Sequence, residues 1–225
     1  MTEFILASQS PRRKQLLGNL VESFFTINPD IEEVQDPSET PVEYVTRTAR
    51  EKALSVGNKI SPDRDRDWII LAADTIVVAG DKILGKPLDE EDAIRILTEI
   101  RGKSHLVYSG IVVYDLSREA LRTNAVCSEV LMREYTDKEI KEYAASGDPL
   151  DKAGAYAIQS PSFNPAPDFK DCYANVMGLP LCHLFLLVRE MRGNAYEDVA
   201  DRCQECLNSQ CPVFAGILNP AGGQV

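Results

Sequence analysis

The chain has 225 residues, 44% hydrophobic and 26% charged, a balance that excludes global disorder and suits one large domain able to bury a core without disulfides or structural metals. Lysine and arginine total 24 against 35 acidic residues, for a formal net charge of −11. A surface that acidic is repelled by phosphate backbones, which excludes generic binding to nucleic acid or to an anionic membrane; phosphate chemistry would need a few local cations and a metal.

Residues 1–7 lack the basic start and long apolar run of a signal peptide. The apolar runs at 68–79 and 179–188 are too short or too interrupted to span a bilayer. Six cysteines are far from the density of a disulfide scaffold, so a cytoplasmic protein is expected.

In chain order, residues 4–7 read as a buried strand running into Ser8-Gln9-Ser10-Pro11-Arg12-Arg13. Ser10 is a good N-cap and Pro11 suits the first helical position, with Leu16, Leu17 and Leu20 as the apolar face. A second strand is expected over 24–27, then an acidic loop carrying Glu32 and Glu33. Thr40-Pro41-Val42-Glu43 is a capping box that opens a helix with the stripe Val42, Val45, Ala49, Ala53 and Val56, ended by Gly57. After a charged loop at 58–67, residues 68–73 form the clearest buried strand, with a hairpin around Gly80 just beyond it.

Residues 89–100 form an amphipathic helix with an acidic first turn, and 106–115 and 121–133 read as two longer, paired strands. A second capping box at Thr136 opens a helix to about Ser146. A short strand is predicted over 153–159, a Pro-rich loop over 160–171 and an apolar helix over 179–191. Short strands alternating with capped helices predict an α/β fold. No repeat or long linker interrupts residues 1–192, read as one domain; 193–225 is read as a Cys-containing tail, partly helical and partly disordered.

Three features stand apart from core packing. Ser8, Ser10, Arg12 and Arg13 sit at a strand-to-helix turn, where free backbone N–H groups and two guanidinium forks suit phosphate oxygens. An ordinary capped surface helix could carry the same residues, although basic side chains there oppose the helix dipole unless an anion meets them. Asp74-Thr75 follows the apolar run 69–73, which puts a carboxylate at the C-terminal end of a buried strand, where α/β sheets place ligands. The third is a scatter of polar residues at element junctions, Glu33, Lys52, Lys86, Asp151, Lys152 and Gln159, which no spacing rule links. His105 and His183 lie in apolar segments and read as core residues. No G-x-S-x-G elbow, P-loop or G-x-G-x-x-G is present, which counts against serine hydrolases, P-loop NTPases and Rossmann dehydrogenases.

Six stretches taken in order resemble the Maf family of nucleoside triphosphate pyrophosphatases. They are Leu6-Ala7-Ser8-Gln9-Ser10-Pro11-Arg12-Arg13, Ala49-Arg50-Glu51-Lys52-Ala53, Ala73-Asp74-Thr75-Ile76-Val77, Gly85-Lys86-Pro87, the run from Asp151 to Gln159, and Asn175-Val176-Met177-Gly178-Leu179-Pro180-Leu181. The resemblance implies an elongated mixed β-sheet flanked by helices, two lobes around a cleft, and a homodimer. It implies hydrolysis of a nucleoside triphosphate between the α and β phosphates, in the service of nucleotide-pool house-cleaning. Under it Asp74 is the general base, Glu33 and Asp74 hold a divalent cation (Mg2+ or Mn2+), and Ser8, Arg12, Arg13, Lys52 and Lys86 bind phosphates. Thr75 and Gln159, together with Arg12, match positions associated with substrate choice.

Ala-Tyr-x-Ile-Gln with Gly-Lys-Pro resembles members that prefer dTTP and UTP, and a Gln amide offers a pyrimidine edge both a donor and an acceptor. Ser160 stands where Gly usually follows that Gln. Two alternatives stay open: a pyrophosphatase for modified purine nucleotides such as 7-methyl-GTP, and a non-catalytic regulator of cell division that only binds nucleotides. Cys203-Gln204-Glu205-Cys206 and Cys211 lie past the resemblance. With Cys172, Cys182 or His183 they could share a metal, but the four-ligand pattern is incomplete within the tail and no site is assigned to them.

Overall fold

The computed structural model describes residues 2–60, 67–193 and 196–219; part of the charged loop and parts of the tail read above lie outside the described residues. A six-stranded sheet is built from β1 (Thr2–Leu6), β2 (Phe24–Thr26), β3 (Asp67–Ala79), β4 (Lys82–Leu84), β5 (Ser104–Asp115) and β6 (Ala120–Leu131). Its order is β2-β1-β3-β5-β6, with β4 hairpinned onto the far end of β3. β1 pairs parallel with β2 and β3; the remaining pairs are antiparallel, so the sheet is mixed.

Local chemistry sets the helix starts. α1 (Pro11–Gly18) begins at the Ser10 cap, and α2 (Pro41–Gly57) at the Thr40 capping box. Asp89 caps α3 (Glu90–Ile100), and a capping box at Thr136 opens α4 (Asp137–Ala145). A short α5 (Tyr173–Val176) precedes α6 (Leu181–Arg192), and past Gly193 come α7 (Val199–Leu207) and α8 (Phe214–Leu218). Val199, Ala200 and Cys203 of α7 are buried in the main core, and Phe214 and Ile217 of α8 pack against it.

The sheet separates two layers by side-chain alternation. Trp68, Ile70 and Ala72 of β3 face α2 through Ala49, Ala53 and Val56, while Ile69, Leu71 and Ala73 face the larger core with Leu16, Leu17, Leu184 and Val188. α2 lies so close to the sheet that a Cβ on Gly110 would fall 2.2 Å from the Val45 carbonyl oxygen. Only glycine allows that approach, and the approach brings α2 side chains over the middle of β3.

Two expectations are corrected. β3 does not end before Asp74; it continues through Asp74 and Thr75 to Ala79, in register with Gly110 and Ser109 of β5. Residues 153–159 are not a strand. They follow one 3-10 turn, Asp148–Asp151, with a second, Ala153–Ala155, in which Gly154 and Ala155 take left-handed φ of 73° and 59°. The run looked like a strand because it is apolar, yet the adjacent residues Ala155 and Tyr156 belong to the same core cluster instead of alternating between faces.

Candidate active site

Because Asp74 and Thr75 are adjacent in a strand, they point to opposite faces of the sheet. Asp74 faces α2, where Lys52 Nζ donates to Asp74 Oδ1 at 2.6 Å; both side chains are almost fully buried. The same ammonium lies 2.7 Å from Glu33 Oε1, whose side chain is half exposed. Burial pushes the Glu33 pKa up, but the hydrogen bond and charge of Lys52, helped by Lys86 and Arg13, outweigh it and hold the carboxyl below its usual range.

Thr75 faces the other layer and meets Arg13. The Arg13 guanidinium donates from Nη2 to Thr75 Oγ1 at 3.1 Å, from Nε to the Gly178 carbonyl at 2.8 Å and from Nη1 to Ser8 Oγ at 3.5 Å. Ser8, buried just past the end of β1, also accepts from the Ser10 N–H, so the turn that caps α1 shapes this corner. Burial lowers the Arg13 pKa, and the charges of Asp74 and Glu33 oppose that shift. Arg12, one residue earlier, reaches across to Asp151 Oδ2 at 3.2 Å. Asp151 in turn pairs with Lys152 at 2.6 Å, and Lys152 pairs with Asp148 at 3.0 Å.

Most of these groups line one cleft of about 430 Å³, the size of a small-molecule site. Ser8, Arg12, Arg13, Glu33, Lys52, Asp74, Thr75, Lys86 and Gln159 all face it. Lys86 and Gln159 are exposed, at the turn after β4 and in the turn that follows the 3-10 segment. Asp151, Lys152 and Tyr156 line the cleft as well. The first two stood in the sequence as junction residues within one of the family-like stretches, with no role of their own; their mutual pairing depends on the 3-10 turns, which carry no sequence periodicity.

Glu33 and Asp74, expected to share a cation, share the Lys52 ammonium. Among the described residues no three His, Cys, Asp or Glu side chains are grouped to hold a metal. The pair still fits a hard divalent ion, because two carboxylates within reach of one small cation, completed by phosphate oxygens and water, match what magnesium requires. The cysteines make no such site. Cys172, Cys182, Cys203 and Cys211 line a cavity of only about 10 Å³, all are free, and burial pushes the Cys182 and Cys203 thiols up to about 11 and 12. Among the described residues no helix is long and apolar enough to cross a membrane.

The model of the family described as Maf-like protein matches residues 3–191. The dTTP/UTP pyrophosphatase of Clostridium tetani is 42% identical over 192 residues, 85% of this chain and 98% of that protein. The dTTP/UTP pyrophosphatase of Dictyoglomus turgidum is 43% identical over 81% of this chain and 92% of its own. A solved nucleoside-triphosphatase / dITP/XTP pyrophosphatase from Mycobacterium abscessus shares 12% identity and a TM-score of 0.33, over 59% of this chain and 73% of that one, too slight a likeness to argue from. With the motifs in order, the family model spanning nearly the whole sheet and its flanking helices, and these sequence relatives aligned almost end to end, the chain belongs to the Maf family.

Proposed function

We propose that the protein hydrolyses nucleoside triphosphates, dTTP and UTP above all, to the nucleoside monophosphate and pyrophosphate. The observation that carries this reading is the convergence of Arg12, Arg13, Lys52 and Lys86 on one cleft with an almost fully buried carboxylate, Asp74, among them. A triphosphate brings about four negative charges, and on a chain of net charge −11 only such a local cluster can hold it. The relatives named dTTP/UTP pyrophosphatase supply the substrate class.

In this reading Arg13 and Ser8 hold phosphate oxygens at the α1 N-terminus, and Arg12 and Lys86 close on them from the rim. Lys52 gives up one of its two carboxylate partners and turns to the phosphates. Asp74 then accepts the proton of a water that attacks the α-phosphorus, and the bond to the bridging oxygen breaks so that pyrophosphate leaves with that oxygen. A divalent ion bound by Glu33 and Asp74 would supply charge neutralisation at the phosphates and the leaving group. Gln159, exposed at the cleft, reads the base edge in this reading, its amide offering both a donor and an acceptor.

A cytoplasmic homodimer completes the proposal. The six cysteines are all free thiols, as a reducing compartment would leave them, and dimerisation rests on the family resemblance. The test is pyrophosphate release from a panel of nucleoside triphosphates with and without magnesium or manganese. Metal-dependent turnover led by dTTP and UTP is expected. Turnover led by 7-methyl-GTP or another purine would overturn the assignment of Gln159, and no turnover by folded protein would favour a nucleotide-binding regulator.

A further inference from the structure

We infer that Ser109, a wholly buried residue of β5 outside the cleft lining, is a positioning residue that sets Arg13 for phosphate binding by acting through Thr75. The inference rests on the proposed function for the identity of the anion.

Ser109 Oγ lies 3.2 Å from the Asn175 carbonyl oxygen, which can only accept, so the single hydroxyl proton of Ser109 is committed there. Thr75 Oγ1 stands 2.9 Å from Ser109 Oγ, and with the Ser109 proton spent, Thr75 must be the donor in that pair. Its own proton thus points into the protein, and its oxygen is left as an acceptor. Arg13 Nη2, which can only donate, donates to that oxygen at 3.1 Å. The chain of donors therefore has one direction: Arg13 to Thr75, Thr75 to Ser109, Ser109 to the Asn175 carbonyl.

The chain closes on itself. The Gly178 N–H donates to the same Asn175 carbonyl at 2.9 Å, and the Gly178 carbonyl accepts from Arg13 Nε at 2.8 Å. Asn175 is itself fixed, because its fully buried side chain donates to the Val107 carbonyl at 3.1 Å and to Ser128 Oγ at 3.0 Å. Arg13 is thus held on two sides by a ring anchored in β5 and β6, with Nη1 toward Ser8 and the cleft. A guanidinium held in this way loses less side-chain freedom when it binds phosphate. Without the Ser109 hydroxyl, the Thr75 proton is released to rotate toward Arg13, where it would repel the guanidinium it now accepts from.

The test compares Ser109→Ala, Ser109→Thr and Arg13→Lys, singly and with Ser109→Ala combined with Arg13→Lys. Two readouts are taken: steady-state turnover of dTTP, and binding of inorganic tripolyphosphate by calorimetry. Losing one such bond is expected to raise both KM and the tripolyphosphate Kd in Ser109→Ala by about three- to ten-fold, with kcat changed by less than about two-fold, since the same contact serves bound substrate and transition state. Ser109→Thr, which keeps the hydroxyl, should restore both constants. In the Arg13→Lys background, Ser109→Ala should add nothing, because a lysine cannot span Thr75 and Gly178 together.

An equal loss in that background would mark Ser109 as merely structural and overturn the inference, as would unchanged KM and Kd in Ser109→Ala. If Ser109→Ala does not fold, Ser109→Cys fills the volume with a weak donor and carries the same expectation. Failure of the wild type to turn over any nucleotide would count against the proposed function alone, leaving the tripolyphosphate arm to judge the ring. Failure of the wild type to bind tripolyphosphate would overturn the ring's role whatever the turnover.

Discussion

Lys52 Nζ stands 2.6 Å from Asp74 Oδ1 with the two side chains only 7% and 6% exposed, so a full positive and a full negative charge are held together almost out of water. Glu33, half exposed, shares the same ammonium and gives it a second counter-ion. The two partners should therefore respond differently to substitution. Asp74→Asn keeps the side-chain volume and an acceptor for Lys52, and Glu33 still neutralises the lysine. Its fold should survive while turnover falls by about 10²–10⁴-fold, the usual worth of a general base. Lys52→Met strands a buried carboxylate and should cost about 3 kcal/mol of stability in addition to activity. Urea unfolding alongside pyrophosphate release separates the two outcomes; an Asp74→Asn variant with wild-type turnover would remove Asp74 from the mechanism.

His105 supplies a pH-dependent term. It is buried in β5 with Nε2 2.8 Å from the Tyr156 hydroxyl, and burial pushes its pKa from 6.5 down to about 4. The unfolded chain takes up a proton near pH 6.5, whereas the folded ring resists until about pH 4. Stability contributed by the neutral ring is therefore complete above pH 6.5, declines as the pH falls toward 4, and changes no further below that. The decline should amount to roughly 2–4 kcal/mol. His105→Gln keeps a polar group for Tyr156 but cannot titrate, so the stability gap between wild type and variant should shift by that amount across the window. Unfolding curves at several pH values would show it, and a constant gap would mean that the folded ring takes up its proton as readily as the unfolded chain does.

Gly178 sits at φ +102°, and a Cβ there would lie 3.3 Å from both Arg13 Nε and Thr75 Oγ1. Gly178→Ala is therefore strained in its backbone and crowds the guanidinium together. A loss of about 1–3 kcal/mol in stability is expected, with kcat/KM down at least about ten-fold. Gly85 offers the contrast: a Cβ there meets nothing within 4 Å and its φ is not in the left-handed region. Gly85→Ala should remain within about 0.5 kcal/mol of wild type by thermal unfolding. Equal effects of the two substitutions would show that the Gly178 geometry places no constraint on Arg13.

How far the sequence disclosed all this depends on the range of each interaction. The helix starts at Ser10, Thr40 and Thr136 were legible because a cap and its N–H partner lie within three residues of each other, and the start near Asp89 because of its acidic first turn. The length of β3 was not, because a strand reading stops at a charged residue unless its counter-ion is known, and Lys52 lies 22 residues away on another element. The turns over 153–159 were missed because an apolar run buried on every side imitates a strand. The cleft residues came from ordered motifs; spacing alone could not have joined Glu33 to Lys86 or Gln159. Ser109 had no signal of its own, since its role follows from standing opposite Thr75 in the register of β3 and β5.

The segment beyond Gly193 gives the last expectation. The family match ends at residue 191, yet Val199, Ala200 and Cys203 are buried in the same core that α1 and α6 fill. Tyr196 packs edge-on to Phe185 at 4.4 Å and approaches Phe4 at 6.3 Å, and Arg202 donates to the Leu20 carbonyl at the end of α1. Ending the chain after Gly193 would expose these surfaces, and with several apolar side chains returned to water the loss should be about 3 kcal/mol or more. Among the described residues, none beyond Gly193 lines the cleft that holds Arg13 and Asp74. The truncated protein should therefore unfold at lower urea while its folded fraction keeps kcat/KM for dTTP within about two-fold, since a mutation remote from the site changes stability without changing transition-state binding. Unchanged urea resistance would show that α7 and α8 add nothing to the core, and a collapse of kcat/KM in the folded fraction would show that they hold α1, and with it Arg12 and Arg13, in place.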